Sequence, residues 1–266
     1  MPINDLLKIM AQLRDPNDGC PWDIEQTFDS IAPCAIEEAY EVREAITNQD
    51  YKGLKDELGD LLLQVVFHSQ IADESKIFNF DEVVDGICKK MVDRHPHVFG
   101  NAEINTADEQ LNSWEDIKSE ERANKLNMDP NSLSALDGVS VAYPALLRAE
   151  KLQKRAARVG FDWKETEPVL TKLDEEICEL KEALSNDFDK DQLEEELGDI
   201  LFSCVNIARH LKLDAETALH KANRKFTKRF QFIEKSLKEE LNIKPENADF
   251  SDLENRWVRA KTINHD

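Results

Sequence analysis

Four residue patterns occur twice along this chain in the same order, and that repetition confines it to an architecture made from two copies of one unit. Glu37-Glu38-Ala39-Tyr40-Glu41 answers to Glu175-Glu176-Ile177-Cys178-Glu179, and Asp56-Glu57-Leu58-Gly59-Asp60-Leu61 answers to Glu195-Glu196-Leu197-Gly198-Asp199-Ile200. The offsets are 138 residues for the first pair and 139 for the second, so the extra residue falls in the intervening turn, where length costs little. Lys90 and Arg94 then answer to Lys225 and Arg229, and Trp114 with Lys118 to Trp257 with Lys261. The leading segments correspond more loosely, with Arg14, Gly19 and Trp22 in one half and Arg155, Gly160 and Trp163 in the other.

Each unit is expected to be helical. The 266 residues contain only 8 glycines and 9 prolines, and apolar residues recur at helical rather than alternating spacing. Leu170, Leu173, Ile177, Leu180 and Leu184 show the spacing well; Ile36, Tyr40 and Ile46 show it less regularly. Between Asn124 and Val141, Asn127, Asp129, Pro130, Asn131, Ser132, Ser134 and Gly138 favour turns over regular structure. The expected organisation is an all-α chain with a first helical domain over 1–124, a linker over 125–141 and a second domain over 142–266.

Charge narrows the partners. The 55 acidic against 34 basic side chains give a net charge of −21, which would repel a polyphosphate backbone, and no Lys/Arg run offers a local landing strip. Extended nucleic acid is therefore excluded as an expected partner. A small phosphorylated ligand is not, because a bound divalent cation reverses the local sign. Five cysteines without a C-x-x-C pair suggest buried thiols in a reducing compartment. Met1 to Met10 lacks a basic stretch followed by an apolar core, and no run approaches the roughly 18 apolar residues of a membrane span, so a cytoplasmic location is expected.

At about 100° per residue, Lys172, Glu176, Glu179 and Ala183 fall on one stripe of their helix, beside the leucine stripe that is expected to form its core face. Gln192, Glu196, Asp199 and Ser203 form a similar polar stripe on the next helix, next to Leu193, Leu197, Ile200, Cys204, Ile207 and Leu211. A short turn at 186–189 forces the two helices antiparallel, so that the stripes can face each other across a groove. Four converging carboxylates repel one another and raise their own pKa values unless something positive sits between them. An all-oxygen ligand set without an E-x-x-H histidine suits Mg²⁺ or Mn²⁺, and magnesium usually keeps open positions for water or phosphate.

A blander account makes each of these acidic pairs the solvated face of an amphipathic helix, and for a single E-x-x-E in a chain that is 33% charged it would serve. Repetition of the paired order argues against it. So does a helix-interior glycine, Gly59 and Gly198, at the same place twice, which costs roughly 1 kcal/mol each time and suggests close helix packing there. Lys225 and Arg229, four apart, are either partners of neighbouring acids or phosphate clamps. Trp257 and Lys261 either cap a core or supply a stacking wall and a phosphate contact. His95-Pro96-His97 has no metal-helix spacing and is expected to be a structural turn.

With E-E-x-x-E, E-L-G-D, K-x-x-x-R and W-x-x-x-K in order and in duplicate, the sequence resembles the tandem-repeat MazG proteins over essentially its whole length, Cys20-Pro21-Trp22-Asp23 and Arg94-His95-Pro96-His97-Val98-Phe99 included. That resemblance implies an all-α fold, a homodimer, Mg²⁺ with Mn²⁺ as a substitute, and hydrolysis of nucleoside triphosphates to the monophosphate and diphosphate by metal-assisted attack of water on the α-phosphate. Carried over by position, Glu176, Glu179, Glu196 and Asp199 would be the catalytic metal ligands. Lys172, Glu175, Gln192, Glu195, Lys225, Arg229, Trp257 and Lys261 would surround the nucleotide, with Glu175 the candidate base or outer-sphere residue. The first half offers a possible second site at Glu38, Glu41, Glu57 and Asp60, with Lys90, Arg94, Trp114 and Lys118. The resemblance implies that the second half is the principal catalytic one, and the sequence supports this in part: Asn223 is replaced by Cys88 in the first half, and Pro96 stops the helix just after Arg94 there. The competing class is a non-catalytic helical adaptor that recruits a basic protein through its acidic faces.

Overall fold

The computed structural model describes residues 2–102, 104, 106, 109–110, 114, 117, 121, 134–185 and 189–263. The protein is all-α, with no strand among the described residues. The chain divides into two compact units, Met1–Ser119 and Glu120–Asp266. Of the expected linker, residues 134–141 carry turns, with the Ser134 N–H donating to Asp137 Oδ2 at 2.8 Å, and the remainder lies outside the described residues.

The first unit contains α1 (Pro2–Leu13), α2 (Pro21–Glu25), α3 (Phe28–Asn48), α4 (Tyr51–Glu74), α5 (Phe80–Asp93) and α6 (Pro96–Phe99). The second contains α7 (Ala145–Arg158), α8 (Glu167–Ser185), α9 (Lys190–His210), α10 (Ala215–Leu241), a short 3₁₀ turn (Pro245–Asn247) and α11 (Phe250–Ile263). In each unit a long helical pair dominates, α3 against α4 and α8 against α9. The first helix of each unit, α1 or α7, packs on the second member of its pair.

The repeat reaches into the caps. Asp50 and Asp189, 139 residues apart, each accept a backbone N–H in the first turn of the helix bearing E-L-G-D, from Gly53 at 2.9 Å and Gln192 at 3.0 Å. Those helices end alike, on a lysine with positive φ: Lys76 at 55° and Lys212 at 56°. Beyond each lysine, the Ile77 N–H reaches back to the Ala72 carbonyl at 2.9 Å and the Leu213 N–H to the Ala208 carbonyl at 2.8 Å. The following helices α5 and α10 are again capped from outside by Asn79 and Asp214. Helix α5 stops at Asp93, before Pro96, whereas α10 continues to Leu241, as the proline placement predicts.

The core of the first unit is Met10, Ile31, Val66, Phe67 and Ile71, with Leu6, Phe28, Leu63 and Phe80 packed against it. Trp22 lies 6.5 Å from Phe67, ring to ring, and the Arg14 guanidinium sits over the same ring. The second unit buries Val169, Ala183, Val205, Ile233 and Leu237, but also Gln153, Glu176, Ser203, Ser236 and Arg256. Its interior is the more polar of the two.

Three expectations need correcting. The leucine stripe of α8 is only partly covered: Leu173, Ile177 and Leu180 are half-buried, while Leu170 and Leu184 are 42% and 63% exposed, as are Leu197 and Leu211 of α9 at 50% and 53%. Apolar spacing marks a face that favours burial without saying what covers it, and the inward residues of α8 are Val169, Glu176 and Ala183. The cysteines are not buried thiols: Cys88, Cys178 and Cys204 are exposed, and Cys20 and Cys34 are half-buried. Gly59 and Gly198 do not mark close packing either, since a Cβ added at each would meet open space.

Candidate metal and nucleotide site

In the second unit the polar stripes of α8 and α9 do meet. Carboxylate oxygens of Glu176, Glu196 and Asp199 lie within 4.8 Å of one another, and Glu176 is only 5% exposed. Lys172, one turn before Glu176 on α8, places its Nζ 2.8 Å from Glu175 Oε1 and 2.9 Å from Glu176 Oε1. Those two hydrogen bonds hold the Lys172 ammonium well above its ordinary range, so it stays charged. Glu179, the fourth carboxylate expected, stands outside that group of three and shares a hydrogen bond with Glu176; that bond, together with burial and the nearby Glu176 and Glu196 charges, pushes its pKa up. A set of hard oxygen donors at this spacing fits a divalent cation such as Mg²⁺.

The first unit gathers a different three of its four carboxylates, Glu38, Glu41 and Glu57, whose oxygens also lie within 4.8 Å of one another; Asp60, which answers to Asp199, is not among them. Burial and the charges of Asp60, Glu41 and Glu57 raise the Glu38 pKa; burial and the charges of Glu41 and Asp60 raise that of Glu57. The residue answering to Lys172 at the offset of 138 is Cys34, so this quartet lacks the equivalent ammonium.

A cavity of about 420 Å³ opens beside the second quartet, lined at one part by Lys172, Glu176 and Asp199. The rest of its wall is largely apolar and aromatic, with Leu152, Phe161, Trp163, Val169 and Phe202, interrupted by Gln153, Asn206 and Arg209. The segment carrying Trp163 is tied to α9 by Asp162, which accepts from Arg209 Nη1 at 2.8 Å and meets His210 Nε2 at 3.0 Å. The Arg209 hydrogen bond, aided by His210, depresses the Asp162 carboxyl to about 2.

At the offset of 139, Asn206 answers to Phe67, which is part of the buried core of the first unit. The polar wall of the cavity was invisible to spacing arguments about acids. Comparing the halves position by position would have found it: Phe67 against Asn206 and Cys34 against Lys172 are the differences that matter.

The basic and aromatic residues expected around the nucleotide form a cluster of their own. On α10 and α11, the Arg229 guanidinium lies 5.5 Å from the centre of the Trp257 ring, Lys261 Nζ 6.0 Å from it and the Phe226 ring 5.4 Å from it. The Arg229 Nε–H is buried with no hydrogen-bond partner among the described residues. Lys225 is exposed one turn earlier, and none of Lys225, Arg229, Trp257 and Lys261 lines the cavity. Gln192 and Glu195 are exposed on the first turns of α9. In the first unit Lys90 is half-buried in the last turn of α5, and Trp114 Nε1 donates to the Arg94 carbonyl at 2.8 Å; Lys118 lies outside the described residues. His95 and His97 form the expected turn, with His95 Nδ1 2.6 Å from the Met91 carbonyl.

The profile of the MazG nucleotide pyrophosphohydrolase domain matches this chain twice, over residues 26–99 and 164–232. The chain belongs to the MazG family. Both matches cover the helical pair that holds a quartet. The nucleoside triphosphate pyrophosphohydrolase of Escherichia coli (strain K12) is 47% identical over 260 residues, 97% of each chain. The nucleoside triphosphate pyrophosphohydrolase/pyrophosphatase MazG of Thermotoga maritima is 42% identical over 257 residues, 97% of this chain and 94% of that one. MazG membership therefore spans both units rather than one.

Proposed function

We propose that the protein hydrolyses nucleoside triphosphates to the monophosphate and diphosphate, with Mg²⁺, or Mn²⁺ in its place, held in the second unit. The observation that carries this is the continuity of one cavity: three members of the carboxylate cluster's surroundings, Lys172, Glu176 and Asp199, share it with Trp163 and Phe202. A nucleotide needs such a junction, with cation-binding oxygens for its phosphates beside an apolar aromatic wall for its base. Full-length relatives that carry the pyrophosphohydrolase name support the same reaction.

Glu176, Glu179, Glu196 and Asp199 would hold the metal, which when bound supplies Lewis-acid activation of water and of the α-phosphate. The chain does the rest. Lys172 keeps Glu176 and Glu175 in place and brings a positive charge to the cavity wall. Lys225, Arg229 and Lys261, with the unspent Nε–H of Arg229, are phosphate contacts that act from their own cluster. Glu175, exposed and bonded to Lys172, is the outer-sphere candidate for handling the water's proton, and Gln192 and Glu195 border the phosphates on α9.

The second unit is the principal catalytic one, supported by Phe67 packing into the core of the first unit where the second has Asn206 on its cavity wall, which leaves the first quartet a structural or regulatory copy. The protein works as a homodimer in the cytoplasm. Exposed Leu170, Leu184, Leu197, Leu201 and Phe226 support pairing, being apolar residues without cover. No helix among the described residues is long and apolar enough to cross a membrane.

The direct test is incubation with ATP, GTP, CTP and UTP plus Mg²⁺, scoring the released anion, with EDTA as control. Monophosphate and diphosphate that vanish with EDTA are expected. Orthophosphate release would mark a different NTPase, and no product at all would favour the adaptor.

A further inference from the structure

The last stretch of the expected linker takes part in the cavity. Leu136, 44% exposed, lines it together with Leu152 and Ala156 of α7, so residues 134–139 lie at its rim. Short-range hydrogen bonds shape this segment: the Ser134 N–H donates to Asp137 Oδ2 at 2.8 Å, the Leu136 N–H to Ser134 Oγ at 3.2 Å and the Asp137 N–H to the Ser134 carbonyl at 3.0 Å. Gly138 takes the positive φ of 76° that the turn requires. Those bonds fold the segment on itself but do not place it against the second unit.

Arg155 does. From α7, next in sequence to Ala156 of the cavity wall, its Nη1 donates to the Asp137 carbonyl at 2.9 Å and to the Ala135 carbonyl at 3.3 Å. These two carbonyls flank Leu136, so the guanidinium grips the backbone on either side of the residue that the segment contributes to the cavity. A charged donor makes such bonds stronger than neutral ones, and arginine does not lose its proton.

The first unit uses the corresponding arginine differently. Arg14, Gly19 and Trp22 answer to Arg155, Gly160 and Trp163 at a constant offset of 141. Arg14 Nη1 donates to the Asp23 and Gln26 carbonyls, at 2.5 and 3.2 Å, and so fastens the stretch that follows its own helix. In the second unit that stretch is fastened by Asp162 to Arg209, and Arg155 reaches back to a stretch that precedes its helix. The redirected arginine belongs to the unit whose carboxylates adjoin the cavity.

We infer that Arg155 is a positioning residue: it fixes residues 134–139 as the rim of the cavity, and Leu136 closes on whatever fills it. The inference rests on the proposed hydrolysis for the identity of that occupant, a nucleoside triphosphate, and adds that the chain leading into the second unit is part of its binding surface. The exposed part of Leu136 is apolar area that an occupant covers, so its loss weakens binding while leaving the metal ligands untouched.

The test has two readouts on the full-length chain. Without substrate, hydrogen exchange at the amides of residues 134, 136, 137 and 139 should be roughly tenfold or more faster in Arg155→Met than in the wild type, with the amides of α7 and α9 within about twofold. That contrast separates release of the segment from a general loss of stability. With Mg²⁺ and the best substrate among ATP, GTP, CTP and UTP, Leu136→Ala and Arg155→Met should each raise KM about three- to tenfold and keep kcat within about twofold. The double variant should be no worse than the larger single effect, since without Leu136 there is nothing for Arg155 to position. Unchanged exchange in Arg155→Met, unchanged KM in Leu136→Ala, or effects that multiply in the double variant would each overturn the inference. A wild type that turns over none of the four triphosphates would instead remove the identity of the occupant, and the exchange comparison would still decide whether Arg155 positions the segment.

Discussion

Phe67 and Asn206 stand at the same position of the two repeats and do opposite things: Phe67 is 4% exposed in a closed apolar core, while Asn206 lines an open cavity beside the carboxylates. The first unit thus packs a ring into its core at the position where the second lines its cavity with an amide. Cys34 in place of Lys172 is a second difference of the same kind.

Asn206→Phe should convert the second unit toward the first. The added ring takes up cavity volume and costs about 1–3 kcal/mol of overpacking when substrate is forced in beside it. A rise of roughly tenfold or more in KM for all four triphosphates is expected by steady-state assay, with the far-ultraviolet dichroism unchanged. An unchanged KM would mean that the base binds elsewhere.

Asp162 makes stability pH-dependent. Its folded-state carboxyl is depressed from the ordinary 3.8 to about 2, chiefly by the Arg209 hydrogen bond. A depressed acid stabilises the fold fully above its unfolded value and loses that contribution as pH falls through the folded one. Asp162→Asn should therefore lower unfolding free energy by about 1 kcal/mol at neutral pH, a figure reduced for the solvent that reaches this pair. In urea titrations the gap between wild type and variant should close as the pH is brought from 4 toward 2, while a constant gap would contradict the assignment.

Pairing of two chains is tested at Leu201, 51% exposed on the uncovered face of α9. Light scattering should give the wild type twice the 30.5 kDa chain mass, and Leu201→Glu should shift it toward one chain, since a charge buried in an apolar interface costs several kcal/mol. A wild type that runs as a single chain would leave the exposed stripes without the partner proposed for them.

The fold was legible because its determinants are local. Helical spacing, the short turn at 186–189 and the proline after Arg94 all act within a few residues, and the repeat shows the helical spacing twice. The carboxylate cluster was legible for the same reason, since i and i+3 placement on two antiparallel helices leaves Glu176, Glu196 and Asp199 little choice but to meet. The cavity was not, because whether a space is filled depends on the side chains of three helices at once, and Gln153 carries no pattern of its own. Leu170, Leu197 and Cys204 misled because spacing records that a face is apolar, not whether the same chain covers it.

The account stands most directly on a comparison of Glu176→Ala with Glu38→Ala at saturating Mg²⁺ and ATP. With the chemistry in the second unit, Glu176→Ala should lower kcat by about a thousandfold or more with helix content intact, as expected for loss of a metal ligand, while Glu38→Ala should stay within about twofold of wild type. Near-normal turnover by Glu176→Ala, or the larger loss from Glu38→Ala, would contradict it.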